Sequence, residues 1–373
     1  MRVLMTGGGT SGHVNPALAI AETVRMNAPG SEIAFVGTPR GIENKLVPTA
    51  GYKLYHVDVR GIRRSLSPAN IRAAYLAMTS PYRAKSIIKE FRPDIVIGTG
   101  GYVSWPVVKA AQMMGIPTML HESNAYPGVA VKMLADKCDR VLLNFAKTAE
   151  YLKKCPEDRL VVVGNPLRSG FSPETDKKAA RRAIGAEGYE RVILSYGGSM
   201  GAQYVNEAVL AMMRDYTSRH PEILHTLAVG AIEWEDANAM FRRYGLDGVP
   251  NLRLVEYIYD MPAQMAAADL LICRAGAMTI SEVAMMRRPA IFIPSPNVTE
   301  NHQYKNALVL AEAGAAVIIE EKDLDGGAAL MKTAEELISD DARREAMGKT
   351  AGQFAVGDAN RRIWGEIRKL TGK

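Results

Sequence analysis

Three segments of this chain combine glycines with side chains that can bind an anion or move a proton. The first is Thr6-Gly7-Gly8-Gly9-Thr10-Ser11-Gly12-His13. Glycines let backbone N–H groups approach a phosphate closely, and a helix N-terminus adds partial positive charge. His13 sits where such a helix would begin, and the helix end should lower its pKa. A neutral imidazole can act as a general base at pH 7. The second segment is His121-Glu122-Ser123-Asn124, a carboxylate and an amide at a strand end. No second histidine follows His121 at the spacing of a zinc pair. The third runs from Cys273 through Arg274-Ala275-Gly276 to Glu282. In the first two turns of a helix, Glu282 could complement the helix dipole or accept the two vicinal hydroxyls of a ribose. Asn301-His302-Gln303-Tyr304-Lys305-Asn306 adds amide and imidazole groups suited to sugar hydroxyls.

Gly7-x-Gly9-x-x-Gly12 is formally a dinucleotide fingerprint. The acid that should close the second strand is missing, because that strand ends Phe35-Val36-Gly37-Thr38. Nicotinamide binding is therefore disfavoured. A plain tight turn remains an alternative.

These segments need elements to hold them. Short apolar runs at 2–6, 32–36, 54–59, 94–98, 118–121, 140–143 and 160–163 read as strands. Helical stretches such as 69–90 and 104–114 separate them. A second series reads as strands at 191–196, 224–229, 252–255, 269–273, 290–293 and 316–319, and the last ~50 residues look helical. Alternation of this kind implies parallel strands with helical crossovers, an α/β chain of two doubly wound domains. Each series opens with a strand running into a glycine loop, 7–12 in the first and 197–203 in the second. Open parallel sheets bind ligands beyond their carboxyl ends, so two such domains with facing loops would enclose a cleft. Gly164-Asn165-Pro166 suits a hinge between them.

Composition narrows the class further. The chain has 373 residues, enough for two cores, and 47% apolar residues. No apolar run reaches the ~18–20 residues of a spanning helix. Met1-Arg2-Val3 leads directly into a strand, so no signal peptide is expected. Cys138, Cys155 and Cys273 lack metal or redox spacing and suit free thiols. Residues 1–165 carry 21 Lys and Arg against 12 Asp and Glu, while the remainder carries 25 against 28. The basic half should face something anionic, nucleic acid or lipid. Within 60–92, Arg60, Arg63, Arg64, Arg72, Arg83, Lys85, Lys89 and Arg92 face a single acid, Glu90, and interleave with Ile71, Tyr75, Leu76, Met78 and Tyr82. That pattern fits a solvated helix or a patch on anionic lipid. No nucleic-acid recognition module is visible.

Six motifs occur in register. They are Gly8-Gly9-Thr10-x-Gly12-His13, Gly100-Gly101-Tyr102-Val103-Ser104, Gly164-Asn165-Pro166-x-Arg168, Gly197-Gly198-Ser199-x-Gly201-Ala202, Arg274-x-Gly276-Ala277-x-Thr279 and Gln303-Tyr304-x-Asn306-Ala307. With them the chain resembles, end to end, the MurG family of glycosyltransferases. The resemblance implies a glycosyltransferase-B fold, two Rossmann-like domains facing across a cleft. An acceptor- and membrane-binding domain would span 1–164, with helix 357–373 crossing back to it. A donor domain would span 165–356. The implied reaction is inverting transfer of N-acetylglucosamine from UDP-GlcNAc to the 4-hydroxyl of the lipid I muramoyl group, giving lipid II for the bacterial wall. A related glycosyltransferase-B enzyme with another lipid acceptor, a UDP-sugar 2-epimerase and a non-catalytic UDP-sugar-binding protein are the alternatives.

Position by position, the resemblance assigns Arg168, Ser199, Gly201, Ile258, Met261 and Glu282 to UDP, with Glu282 on the ribose and the Ile258 backbone on uracil. Gln303 would hold the sugar, and Thr10, Ser11 and Gly12 would also face the donor. Thr10, His13, Tyr102 and Asn124 map to the acceptor side. His13 is the first choice of base, with Glu122 behind it. His302 stands where the family usually has glutamine, and Ser11 where it commonly has glycine. No Asp-x-Asp pair lies in a suitable loop, so neither cofactor nor obligatory metal is expected. The expected partners are UDP-GlcNAc, lipid I, anionic inner-membrane lipid through 60–92 and other wall-synthesis proteins, without nucleic acid. The implied location is peripheral, on the cytoplasmic face of the bacterial plasma membrane.

Overall fold

The structure is a computed structural model that describes residues 1–59, 69–167, 170–198 and 201–373, apart from the side chains of 69–75, 77, 78 and 299. The chain forms two compact units, Met1–Arg168 with Asp358–Lys373, and Ser169–Gly357.

The first unit is built on seven parallel strands: β1 (Arg2–Thr6), β2 (Glu32–Gly37), β3 (Lys53–His56), β4 (Ile95–Gly98), β5 (Thr118–Glu122), β6 (Arg140–Leu143) and β7 (Leu160–Val162). Their order is β3-β2-β1-β4-β5-β6-β7. Helices α1 (Ser11–Asn27), α2 (Glu43–Thr49), α3 (Ala69–Phe91), α4 (Ser104–Met113) and α5 (Val129–Leu134) lie between strands. The central strands β1 and β4 are mostly apolar because helices cover both faces. Leu4, Val96, Leu120 and Val141 enter one core, while their neighbours Val3, Ile95, Met119 and Leu142 enter the other. The order puts β1 between β2 and β4, with Thr6 level with Val36 on one side and Gly98 on the other. The loop after β1 is thus flanked by the loops after β2 and β4. Helix α1 starts at Ser11, so His13 lies inside its first turn.

The second unit repeats the plan with β8 (Arg191–Tyr196), β9 (Ile223–Ala228), β10 (Leu252–Val255), β11 (Leu270–Cys273), β12 (Ala290–Phe292) and β13 (Ala316–Ile318). The order is β10-β9-β8-β11-β12-β13, again all parallel. Its helices are α6 (Lys177–Ala183), α7 (Gln203–Asp215), α8 (Trp234–Arg243), α9 (Met261–Ala267), α10 (Ala277–Met286), α11 (His302–Ala311), α12 (Ala328–Ser339) and α13 (Asp341–Gly352). Asp269, just before β11, pins the base of this sheet. Its carboxylate accepts from the Val192 amide at 2.7 Å and pairs with Lys177 and Arg181.

The last helix, α14 (Ala359–Thr371), belongs to the first unit. Ile363 and Ile367 enter the core that β1 and α1 share, and Glu366 accepts from Arg140 at 3.0 Å. Among the described residues no helix is long and apolar enough to cross a membrane.

Two histidines are fully buried structural clips. His121 lies next to the end of β5 and donates from Nε2 to the Gly164 carbonyl at 3.0 Å. His225 in β9 lies 2.8 Å from the Ser195 hydroxyl. Burial lowers the His121 pKa to about 4 and that of His225 to about 3. Both are neutral in the fold and in the unfolded chain above pH ~6.5, so they cost nothing there. Below that pH the unfolded chain takes up protons that the fold refuses. Each then removes stability until the pH reaches its folded value, about 3 kcal/mol for His121 at 1.4 kcal/mol per pH unit. Denaturant titrations should show stability falling from pH 6.5 toward 4, and His225→Gln should flatten that slope.

Candidate active site

The first glycine loop is clamped from both sides. From the β2 side comes Glu43, the first residue of α2, with 0% of its surface exposed. Its Oε2 accepts from the Gly9 amide at 3.0 Å. Its Oε1 accepts from the Thr38 amide at 2.8 Å and the Thr38 hydroxyl at 2.7 Å. Burial raises the Glu43 pKa, but the donations from Gly9, Thr38 and its own amide outweigh it and leave the group below its usual value, hence ionised. From the β4 side, the Thr99 hydroxyl donates to the His13 carbonyl at 2.7 Å.

Glycine is required where these loops interlock. A Cβ on Gly8 would lie 2.5 Å from Glu43 Oε1, and one on Gly101 would lie 2.2 Å from the Gly8 carbonyl oxygen. Gly9, at φ +84°, faces open space instead. The loop read as a bare phosphate cradle therefore already holds an anion, the Glu43 carboxylate, on its Gly9 amide. The acid missing from the end of β2 arrives a few residues later and binds the loop itself. Sequence reasoning passed over Glu43, Thr38 and Thr99; the one local signal was a glutamate following two glycines, Gly37 and Gly41.

His13 stands on this clamped base. Its Nδ1 lies 3.2 Å from the Gly8 carbonyl oxygen and 3.2 Å from the Thr10 hydroxyl. A carbonyl only accepts, so Nδ1 carries the ring proton and Nε2 keeps its lone pair. A Cβ on Gly100 would lie 2.5 Å from His13 Cδ2, so the ring packs directly on that glycine. The His13 pKa is lowered, as expected, but the main cause is burial rather than the helix end. The Gly8 carbonyl and the Glu43 charge pull the other way. Thr10 and Gly12 are exposed, Ser11 is half-buried, and Tyr102 is 54% exposed in the loop after β4.

Glu122 is buried and turned inward. Oε1 accepts from the Asn124 amide at 2.9 Å and its side-chain nitrogen at 3.0 Å, while Oε2 accepts from the Gly128 amide at 2.8 Å. Burial raises its pKa, opposed by these bonds and by Lys132. The group pins the 122–128 loop and orients Asn124.

In the second unit the expected donor residues gather at the carboxyl edge of the sheet. The loop after β8 packs Gly201 against Glu233 and the Val229 carbonyl, while Gly198, at φ +100°, faces open space. Burial raises the pKa values of Tyr196 and Cys273, the ends of β8 and β11, and the nearby charge of Glu282 in α10 adds to both. Gln303 Oε1 accepts from the Ser295 amide at 2.9 Å and the Ala275 amide at 3.4 Å. That bridges the turns after β11 and β12 and commits the amide oxygen, so the side-chain NH2 is the end left to meet a ligand. Ile258 is buried after β10, and Met261 opens α9. Arg168 and Ser199 lie outside the described residues, as do Arg60, Arg63 and Arg64 and the side chain of Arg72. On the described part of α3, Arg83 and Lys89 are exposed and Lys85 lies over the ring of Tyr82, 5.5 Å from its centroid. Among the described residues no cluster of three His, Cys, Asp or Glu could hold a metal ion.

Comparison with known proteins bears on both units. Residues 3–143 match the glycosyltransferase family 28 N-terminal domain, and residues 192–363 match the family 28 C-terminal domain. The chain is 38% identical, over 99% of its length and 98% of the relative's, to the UDP-N-acetylglucosamine–N-acetylmuramyl-(pentapeptide) pyrophosphoryl-undecaprenol N-acetylglucosamine transferase of Acetivibrio thermocellus. It is 36% identical to the protein of the same name from Lactococcus lactis subsp. cremoris, over the full length of both. The crystal structure of Acinetobacter baumannii MurG superposes with a TM-score of 0.77 at 29% identity, covering 99% of each chain. The chain belongs to glycosyltransferase family 28, within its MurG family of N-acetylglucosamine transferases.

Proposed function

We infer that this protein transfers N-acetylglucosamine from UDP-GlcNAc to the 4-hydroxyl of the muramoyl-pentapeptide diphospho-lipid, lipid I, producing lipid II. The observation that carries the reading is the His13 ring, neutral and with no partner for Nε2 among the described residues, in a chain that matches transferases of that name from end to end. The acceptor hydroxyl attacks the anomeric carbon, its proton passes to His13 Nε2, and the bond to the UDP oxygen breaks with its electron pair leaving on UDP. One displacement inverts the anomeric configuration. A positioned base of this kind contributes roughly 10²–10⁴-fold.

The second unit holds the donor. Ser199, Gly201 and the N-terminus of α7 face the diphosphate, so its charge is balanced by N–H dipoles without an obligatory metal. Arg168 adds a cation. Glu282 accepts the ribose hydroxyls, Ile258 and Met261 border the uracil, and the Gln303 NH2 donates to the sugar. Thr10, Ser11 and Gly12 also face the sugar, while Tyr102 and Asn124 contact the acceptor. Glu122 acts by holding Asn124 and its loop. The basic stretch 60–92 docks the protein peripherally on anionic lipid at the cytoplasmic face of the plasma membrane, where other wall-synthesis proteins meet it.

A coupled assay of UDP release with a soluble lipid I analogue tests the reading. Release should require both substrates. Release without acceptor, or conversion of UDP-GlcNAc to its 2-epimer, would overturn it. His13→Ala should lower kcat by about 10²–10⁴-fold while UDP still binds with parent affinity by calorimetry. Glu282→Gln should weaken UDP binding about tenfold or more, the effect of losing a charged hydrogen-bond acceptor. It should change 2′-deoxy-UDP binding far less, because one of the two hydroxyls it serves is then absent.

A further inference from the structure

Glu43 is a buried, ionised carboxylate that touches no position expected to contact substrate, apart from the backbone of the glycine loop. Among the described residues no lysine or arginine pairs with it, and N–H and O–H donors alone meet its charge. Two of the bonds at the loop belong to one peptide unit. The N–H of Gly9 donates to Glu43 Oε2 at 3.0 Å. The C=O of that same peptide, carried by Gly8, accepts from His13 Nδ1 at 3.2 Å.

We propose that Glu43 is a positioning residue for catalysis, acting on His13 through the Gly8–Gly9 peptide. The carboxylate draws the peptide N–H toward itself, which places more negative charge on the carbonyl oxygen. A more negative carbonyl holds the Nδ1 proton more firmly. It fixes the tautomer with Nε2 outward and stabilises the imidazolium that forms when Nε2 takes the acceptor proton. The arrangement does the work of the carboxylate in a Ser-His-Asp triad, with a peptide inserted between acid and imidazole. The Glu43 charge favours protonation of His13, against the opposite pull of burial. The 98–104 segment on the other side of the ring contains no carboxylate, lysine or arginine, and its Tyr102 side chain is exposed. Residues 38–45 carry Arg40 and Lys45 beside Glu43. The glycines fit this role: a side chain on Gly8 would strike Glu43, and one on Gly100 would strike the ring.

The inference rests on the reading of His13 as the base, and the test separates the two. In Glu43→Gln the acid limb of kcat/KM should move to lower pH, by about half a unit, because removing a negative charge disfavours the imidazolium. kcat should fall about tenfold, within what a general base contributes, and KM for UDP-GlcNAc should hold. A loss equal at every pH, with the limb unmoved, would show Glu43 to be structural and overturn the proposal while leaving the base assignment intact. Full turnover in His13→Ala would remove the base and the proposal together. A second measurement needs no variant. Ring ¹⁵N NMR of the parent protein should find the neutral His13 protonated on Nδ1, and a proton on Nε2 would overturn the relay.

Discussion

A single buried carboxylate sets the shape of the first glycine loop. Glu43 makes its bonds only because β1 lies between β2 and β4, so that loops from both neighbours converge on the one between them. An ionised group with no exposed surface is tolerable when donors surround it, and Gly9, Thr38 and its own amide provide them. The cost is paid in side chains: Gly8, Gly37 and Gly41 have no room for a Cβ beside it. Once the loop is fixed in this way, the Gly8 carbonyl faces His13, and the orientation of the ring follows.

The two units use similar glycine-rich words for different physical ends. In the first, Thr99 and Glu43 fill the space beside Gly7 and Gly8 and Glu43 takes the Gly9 amide, which leaves a histidine on a rigid seat. In the second, Gly197 and Gly201 pack the turn against Ala202 and Val229, and the α7 N-terminus follows at once. No carboxylate of the protein accepts from an amide of that second loop among the described residues. One loop is therefore suited to proton transfer, and the other to an anion from outside. A fingerprint that counts glycines alone does not distinguish them.

Much of the fold was legible because its signals are local. Val3-Leu4-Met5 and Val141-Leu142-Leu143 read as strands buried on both faces, and their alternation with helical stretches implied helical crossovers. His13 and the glycines around it were legible for the same reason. Glu43 was not, because its bond to Gly9 joins residues 34 apart and depends on strand order. His121 and Glu122 read as rim residues because they end a strand, yet both turn inward, one to the Gly164 carbonyl and the other to the Gly128 amide. A polar residue at a strand end can face a ligand or close a turn, and only the register of neighbouring loops decides between them.

The claim that the first loop serves chemistry while the second takes the nucleotide can be tested by hydrogen exchange of the whole protein with and without UDP. The account predicts slowed exchange at amides 197–203 and at those around Ile258 and Glu282, with amides 7–13 unchanged. Protection by UDP at 7–13, with none at 197–203, would contradict it.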